Sequence, residues 1–267
     1  MKGNLHKMVT ELGNPIKYLL RLGGKELIMN DLIGKEICLS HTGIIHCVSC
    51  QKITKKSFGQ GFCYSCFIKS PMNSECIIRP ELCEAHLGKG RDPEWEKKHH
   101  LQEHIVYLAF TDKVKVGVTR TDQIPTRWID QGAHRAIVLA RVPYRRLAGE
   151  IEVALKEVFD DKTNWRNMLK NILNPALDPI AIKEEALEDL PEEMEEFYED
   201  EHEVYEMHYP VTEYPSKITS LNLDKTPEIK AQLLGIKGQY LILSDHQVLN
   251  IRKHSGYEIN LSTVHGN

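Results

Sequence analysis

The sequence predicts an α+β protein: a small β-β-α-β-α core near the middle of the chain, a cysteine-rich ribbon before it, and β-rich segments flanking both. Three observations carry that expectation. Short apolar runs bounded by Gly, Pro, Asn or Asp recur along the 267 residues. Between residues 104 and 160, alternation of period two gives way to helical spacing. Two Cys-x-x-Cys pairs, Cys47-Val48-Ser49-Cys50 and Cys63-Tyr64-Ser65-Cys66, stand twelve residues apart.

Residues 1–46 read as a β segment. Ile16-Lys17-Tyr18-Leu19-Leu20 and Lys35-Glu36-Ile37-Cys38-Leu39 are short apolar runs, and Gly23-Gly24 turns the chain between them. Residues 47–103 hold the ribbon and a linker. Gly59-Gln60-Gly61 lets the ribbon hairpin bend, and the linker, with Pro71, Asn73 and Pro80, carries Cys76, Cys83 and His86. Trp95, in Arg91-Asp92-Pro93-Glu94-Trp95, reads as a packing anchor.

Residues 104–160 form the core. Ile105-Val106-Tyr107-Leu108-Ala109-Phe110 is a buried-strand run, Thr111-Asp112 turns it, and Lys113-Val114-Lys115-Val116-Gly117-Val118 alternates as a hairpin partner would. Pro125 suits the first turn of a helix and Gly132 its end. Residues 136–140 are a third strand. Pro143 opens a second helix, whose Leu147, Ile151, Ala154, Leu155 and Val158 recur at helical spacing.

Residues 161–213 are an acidic segment, expected as a helix around 187–198 or as a solvated linker. Residues 214–267 return to β patterning. Gly235-Ile236-Lys237-Gly238-Gln239-Tyr240-Leu241-Ile242-Leu243 reads as a strand with a glycine-marked bend, with 248–251 and 257–261 as its partners. The two terminal β segments are each too small to bury much alone, so they are expected to pair with one another.

Composition bounds the function. Hydrophobic residues make up 41% and charged residues 27%, ordinary for a soluble globular chain. No apolar run approaches the ~18 residues of a membrane span, and the first fifteen residues lack the apolar stretch of a secretory signal. Unpaired thiols in tight pairs require a reducing compartment, so a cytoplasmic protein is expected. The net charge of -4 hides an uneven distribution: thirteen of the 38 acidic residues lie between Glu184 and Glu206, where there is no Lys or Arg. The 34 basic residues therefore outnumber the acidic ones elsewhere, which is compatible with a phosphate-bearing partner. Aromatic residues are only 7%, so a base-stacking platform is not indicated.

Cys47, Cys50, Cys63 and Cys66 place four thiolates on two tight turns, a closed tetrahedral set suited to a structural Zn²⁺ with no open coordination position. A second zinc site from Cys76, Cys83 and two of His86, His100 and His104 is chemically feasible, although its spacing fits no standard knuckle. His134, near the end of the first core helix, is a candidate auxiliary acid or base, or a histidine stabilised by the helix C-terminus.

The block from His104 to Phe159 is similar to the GIY-YIG nuclease superfamily. Ile105-Val106-Tyr107 stands where that family carries Gly-Ile-Tyr, and Lys115-Val116-Gly117-Val118-Thr119 stands where it carries Tyr-Ile-Gly-x-Thr. Arg127 matches its helix arginine and Glu152 its metal-binding glutamate. Ile105 in place of the first glycine and Lys115 in place of the second tyrosine depart from the pattern, and a subgroup of the family reads Lys-Ile-Gly at the latter. The wider layout, from the ribbon through Arg-Asp-Pro-x-Trp to the late Gly-Ile-Lys-Gly-Gln-Tyr, resembles one uncharacterised bacterial domain family that brings no established activity.

The resemblance implies a metal-dependent nuclease acting on DNA or RNA. Glu152 would hold Mg²⁺ or Mn²⁺ against a nonbridging oxygen, Arg127 would fork onto the phosphate, and Lys115 would serve as a point charge or a base. Tyr107 would orient water, or deprotonate it if neighbouring cations lowered its pKa from roughly 10. Gly117 and Thr119, with Arg120 beside them, would lie along the substrate, and Arg135, Arg141, Arg145 and Arg146 would track its backbone. Helical periodicity alone does not choose between Glu150 and Glu152, which flank the apolar stripe on opposite sides. The alternatives are a noncatalytic zinc-ribbon module binding nucleic acid or protein, and a scaffold contacting proteins through its acidic segment; in a nucleic-acid protein that segment would instead regulate the site by mimicking phosphate.

Overall fold

The computed structural model describes residues 1–160 and 163–263. In chain order the first strands are β1 (Lys2–Asn4), β2 (Val9–Glu11), β3 (Lys17–Leu22), β4 (Lys25–Ile28), β5 (Glu36–His46) and β6 (Ile53–Thr54), followed by α1 (Tyr64–Lys69) and α2 (Pro93–His100). Then come β7 (His104–Phe110), β8 (Val114–Arg120), α3 (Thr126–Gln131), β9 (Arg135–Val142), α4 (Arg145–Leu155), α5 (Trp165–Leu169), α6 (Pro179–Glu188) and β10 (Val204–Glu206). The last strands are β11 (Thr219–Ser220), β12 (Glu228–Lys237), β13 (Tyr240–Leu243), β14 (Gln247–Asn250) and β15 (Tyr257–Thr263). The architecture is mixed α+β, with several sheets and few helices. No helix among the described residues is long and apolar enough to cross a membrane.

The chain divides into two compact units. One comprises Met1–Ile68, Leu169–Asn171 and the chain from Met207 onward, the other Lys69–Met168 and Ile172–Glu206. In the first unit eight strands form one sheet, ordered β1-β15-β5-β12-β13-β14-β11 with β6 on β5, and β2-β3-β4 form a small sheet of their own. Side chains alternate between faces every second residue along a strand. In β12 that period buries Ile229, Ala231 and Leu233; across the ladder β5 buries Ile37 and Leu39, and β15 buries Ile259 and Leu261. Residues 257–261 thus pair with β5 and not with the 235–243 stretch, because β12 already spends its edges on β5 and β13.

The Gly-Ile-Lys-Gly-Gln-Tyr motif is the β12–β13 turn, with Gly238 at φ 61. Gln239 is buried and holds Met8 by both backbone groups: its Oε1 accepts from the Met8 amide at 2.7 Å, and its Nε2 donates to the Met8 carbonyl at 3.1 Å. Lys237 is also buried; its Nζ donates to Asn171 Oδ1 at 2.8 Å and lies 5.1 and 5.4 Å from the Tyr209 and Tyr214 rings. Desolvation lowers the Lys237 pKa from 10.5 to about 8. Its stabilising contribution is then fully present above the unfolded pKa and lost as pH falls through the folded value. The unfolding free energy of the wild type relative to Lys237→Met should therefore rise by on the order of 3 kcal/mol from pH about 7 to pH about 11 in paired denaturant melts. A difference that stays flat would mean the ammonium is not desolvated.

In the second unit the sheet runs β10-β9-β7-β8, antiparallel throughout, with β7 central and fully buried. Val106, Leu108 and Phe110 of β7 face a core completed by Ala148, Ile151 and Leu155 of α4 and by Ala186 of α6. The acidic run is neither one helix over 187–198 nor a solvated linker. Asp178 caps α6, and the chain after it forms a 3-10 turn, Glu192–Phe197, and then β10. Its apolar members Leu190, Met194, Phe197 and Tyr198 pack on the same core as β7 while most of its carboxylates are exposed. Buried Lys183 donates to the Glu199 and Glu201 carbonyls, and Arg141 pairs with Glu199. Hydrophobic spacing inside a charge run therefore decides its fate, not the net charge.

Candidate functional site

Antiparallel register sets Tyr107 of β7 directly opposite Gly117 of β8. A Cβ at Gly117 would stand 2.6 Å from the Tyr107 hydroxyl oxygen, so the glycine is the space the phenol occupies. Residues opposite one another share a face, and so do alternate residues; Tyr107, Lys115, Gly117 and Thr119 therefore line one side of the β7–β8 ladder. On that side α3 supplies Trp128, whose ring lies 5.9 Å from Tyr107, and Gln131, whose Oε1 accepts from the phenol at 2.9 Å. Gly132 at φ 74 ends α3.

Tyr107 is fully buried, and desolvation raises its pKa despite the Arg127 charge and a hydrogen bond from Arg127. The role of a deprotonated base, expected only if cations lowered that pKa, is not what this environment provides. The group is a neutral phenol that donates to Gln131, with the Arg127 charge acting on it.

Glu152 is buried on α4, where desolvation raises its pKa against the pull of Lys156, Lys115 and Arg145. Its contact is Lys156 Nζ at 3.4 Å, while Tyr107 feels its charge through space. Glu150 instead pairs with Arg146 at 2.7 Å on the outer side of the same helix. Tyr107, Arg127, Lys115 and Glu152 thus belong to one electrostatic cluster, joined by Arg145, which no sequence pattern singled out from its neighbouring arginines. Thr119 is buried, and Arg120 turns away to Asp122 at 3.1 Å. His134 Nε2 accepts from the Arg135 Nε at 3.2 Å. A groove of about 330 Å³ beside the cluster is lined by Thr111, Asp112, Lys113, Lys115, Asp160 and Asn167, and not by Tyr107, Arg127 or Glu152.

The ribbon brings its four sulphurs together. Cys47, Cys50, Cys63 and Cys66 place their Sγ atoms within 4.8 Å of one another, with Cys50 and Cys63 3.9 Å apart. The edge of a tetrahedron with Zn–S bonds of 2.3 Å is about 3.8 Å, so the set is compatible with a structural zinc. Burial raises the Cys47 thiol, but backbone N–H groups of Cys50, Cys63 and Ser49 aim at it and bring it down to about 6. Such donors toward a sulphur are what a thiolate ligand needs. Gly59, Gln60 and Gly61, all at positive φ, turn the hairpin so that Phe58 and Phe62 bridge.

A second convergence involves Cys76, Cys83, Glu96 and His100, all four buried. His86 is not part of it; its ring stacks on Tyr144 at 5.3 Å. His104 is not part of it either: it is held by the Gln102 carbonyl at 2.7 Å, and burial lowers its pKa to about 4. Glu96 takes the position that a second histidine was expected to fill. The legible signal was helical: Asp92 caps α2 by accepting from the Trp95 amide at 3.1 Å, and from that start Glu96 and His100 fall on one face. Trp95 stacks on His99 at 4.0 Å.

A family model described as "Protein of unknown function (DUF2797)" matches residues 34–259. No match was found among curated proteins or among solved structures.

Proposed function

We propose, from the premise that this chain belongs to the DUF2797 family, that it binds nucleic acid and hydrolyses phosphodiester bonds at the Tyr107–Arg127–Glu152 cluster. The observation that carries this reading is the charge pattern around Glu152. Glu152, desolvated on α4, meets Lys156 Nζ at 3.4 Å and feels the charges of Lys115 and Arg145, while the Arg127 charge acts on the buried phenol. Cations in excess over a single carboxylate favour a phosphate anion as the ligand. The β7-β8-α3-β9-α4 order, and the tyrosine seated over a strand glycine, support a GIY-YIG-like core.

In this reading Arg127 offers a bidentate fork to the nonbridging oxygens, and Lys115 and Arg145 add charge to them. The neutral Tyr107 hydroxyl, fully buried and donating its one proton to Gln131 Oε1, positions Gln131 beside the Arg127 charge and does not itself donate to the substrate. Glu152 is the one carboxylate of the cluster, which suits a magnesium or manganese ion that takes its other ligands from water and substrate phosphate. Such an ion would polarise a phosphoryl oxygen and help the leaving group. The zinc ribbon is a structural appendage, and its unpaired thiols support a cytoplasmic setting.

The same excess of cations supports a second reading, a noncatalytic module that holds a phosphate backbone. Incubation with labelled single- and double-stranded DNA and RNA in Mg²⁺ or Mn²⁺ separates the two. Cleavage that disappears in Glu152→Ala is the expected result. Salt-dependent binding without cleavage in either metal would leave the module. Absence of binding at low salt would remove both.

A further inference from the structure

We propose that Cys76, Cys83, Glu96 and His100 form a second zinc site, of Cys₂-Glu-His type, which pins the 70–88 segment to the helix bearing Glu152. Cys76 lies in a 3-10 turn, Glu75–Ile77, Cys83 ends the next turn, Pro80–Leu82, and Glu96 and His100 lie one helical turn apart on α2. Cys83 Sγ is 3.4 Å and Cys76 Sγ 4.0 Å from His100 Nδ1, and Cys76 Sγ is 3.9 Å from Glu96 Oε2. Tetrahedral zinc with bonds of 2.0–2.3 Å has ligand–ligand edges of roughly 3.3–3.8 Å, close to these values. Glu96 Oε2 stands nearer to His100 Nδ1, at 2.7 Å, a hydrogen bond that metal binding would open into such an edge.

Three further observations favour a metal. Glu96 Oε1 is buried with no hydrogen-bond partner among the described residues, a costly state for a carboxylate unless a cation meets it. The apolar side chains of the segment point outward: Ile77, Ile78, Leu82 and Leu87 are exposed, while its buried cluster is Cys76, Cys83 and Ala85. Beyond Pro80 and Ala85, apolar burial therefore contributes little to holding these turns together. Finally, Cys83, Cys76 and Glu96 all meet the same ring nitrogen, Nδ1 of His100. A Cys–His–carboxylate relay needs thiol and carboxylate on opposite ring nitrogens; lone pairs converging on one point make a cage. Two thiolates, one carboxylate, a neutral imidazole and Zn²⁺ leave one negative charge, which the adjacent Arg145 balances.

The cage also reaches the candidate site. Arg145 donates to the Cys76 and Ile77 carbonyls at 2.9 and 3.0 Å. One turn along α4, a Cβ at Gly149 would stand 2.2 Å from the Glu81 amide nitrogen, so the turns between the two cysteines lie flush on the helix. Arg145, Gly149 and Glu152 share one stripe of α4. The metal assignment is independent of any cleavage activity.

Metal analysis of reduced, freshly purified protein should give two zinc ions per chain, falling to one in Cys83→Ser and to one in Cys63→Ser. X-ray absorption of the wild type requires no variant to fold, and should show an average first shell of three sulphurs and one nitrogen or oxygen per zinc. A single zinc with two sulphurs that survives Cys63→Ser would support this site and remove the ribbon cage. An all-sulphur shell, zinc content unchanged by Cys83→Ser, no zinc at all, or a Cys76–Cys83 disulfide in reduced protein would each overturn it.

Discussion

A strong chelator is expected to release residues 47–68 from the folded protein, and Cys63→Ser is expected to do the same without chelator. Within this stretch only Cys47, Gly61 and Phe62 are buried, whereas Ile53, Tyr64 and Ile68 are exposed and α1 buries no side chain. Burying Phe62 is worth roughly 2–3 kcal/mol, less than the cost of ordering some twenty residues at about 1–2 kcal/mol each. A structural zinc in small metal-folded hairpins contributes about 10–16 kcal/mol at neutral pH, so the metal decides the balance. The hairpin is otherwise tied to the rest of the chain at few points: the two-residue β6 pairs with the end of β5, and Gly61 sits where a Cβ would meet Ser255 O at 2.8 Å. Limited proteolysis followed by mass spectrometry should show new cuts between residues 52 and 62 on chelation, reversed by zinc. A hairpin that resists protease with chelator present and with Cys63 replaced would remove the metal from the account.

If the cluster cleaves as proposed, Arg127→Ala should lower phosphodiester cleavage by about 10²- to 10³-fold, the usual loss when one preorganised donor to a developing charge is removed. The guanidinium matters for its planar fork as well as its charge, so Arg127→Lys should recover only a small part of the rate. Arg127 also contributes to holding Tyr107, and its loss would leave the buried phenol with Gln131 as partner. Single-turnover rates separate the two effects: a transition-state role lowers the cleavage step, whereas a role in binding alone raises the half-saturating substrate concentration. Wild-type rates in Arg127→Ala would take this arginine, and the family resemblance that singled it out, out of the mechanism.

Local patterns made part of this legible. Alternation at Val114–Val118 and the apolar run before it are β8 and β7, and the Cys-x-x-Cys spacing is a sulphur cage, because these signals are written in residues a few positions apart. Asp92-Pro93 likewise marks a helix start. What sequence reading missed depends on distant partners. Glu96 on a short charged helix looks like any solvated carboxylate until the 76–83 turns close over it. Lys237 alternates like a solvent-facing strand residue and is buried by Asn171, Tyr209 and Tyr214 from elsewhere in the chain. For Tyr107 the sequence leaves orienting and deprotonating water both open, and only complete burial, which raises its pKa, marks it as a neutral donor to Gln131.

Strand β5 finds both of its long partners, β12 and β15, in the last forty residues of the chain, and all of the second unit is encoded between β5 and β12. On the ribosome, at 5–20 residues per second, β5 would emerge roughly ten to forty seconds before β12. During that interval Ile37 and Leu39 have no ladder to join, because β6 covers only Ile45 and His46, and the nascent chain presents most of an eleven-residue strand unsatisfied to chaperones or to neighbouring copies. Ribosome stalling or premature termination after the second unit should therefore yield aggregates seeded by the N-terminal segment, even where the later-encoded unit has already folded.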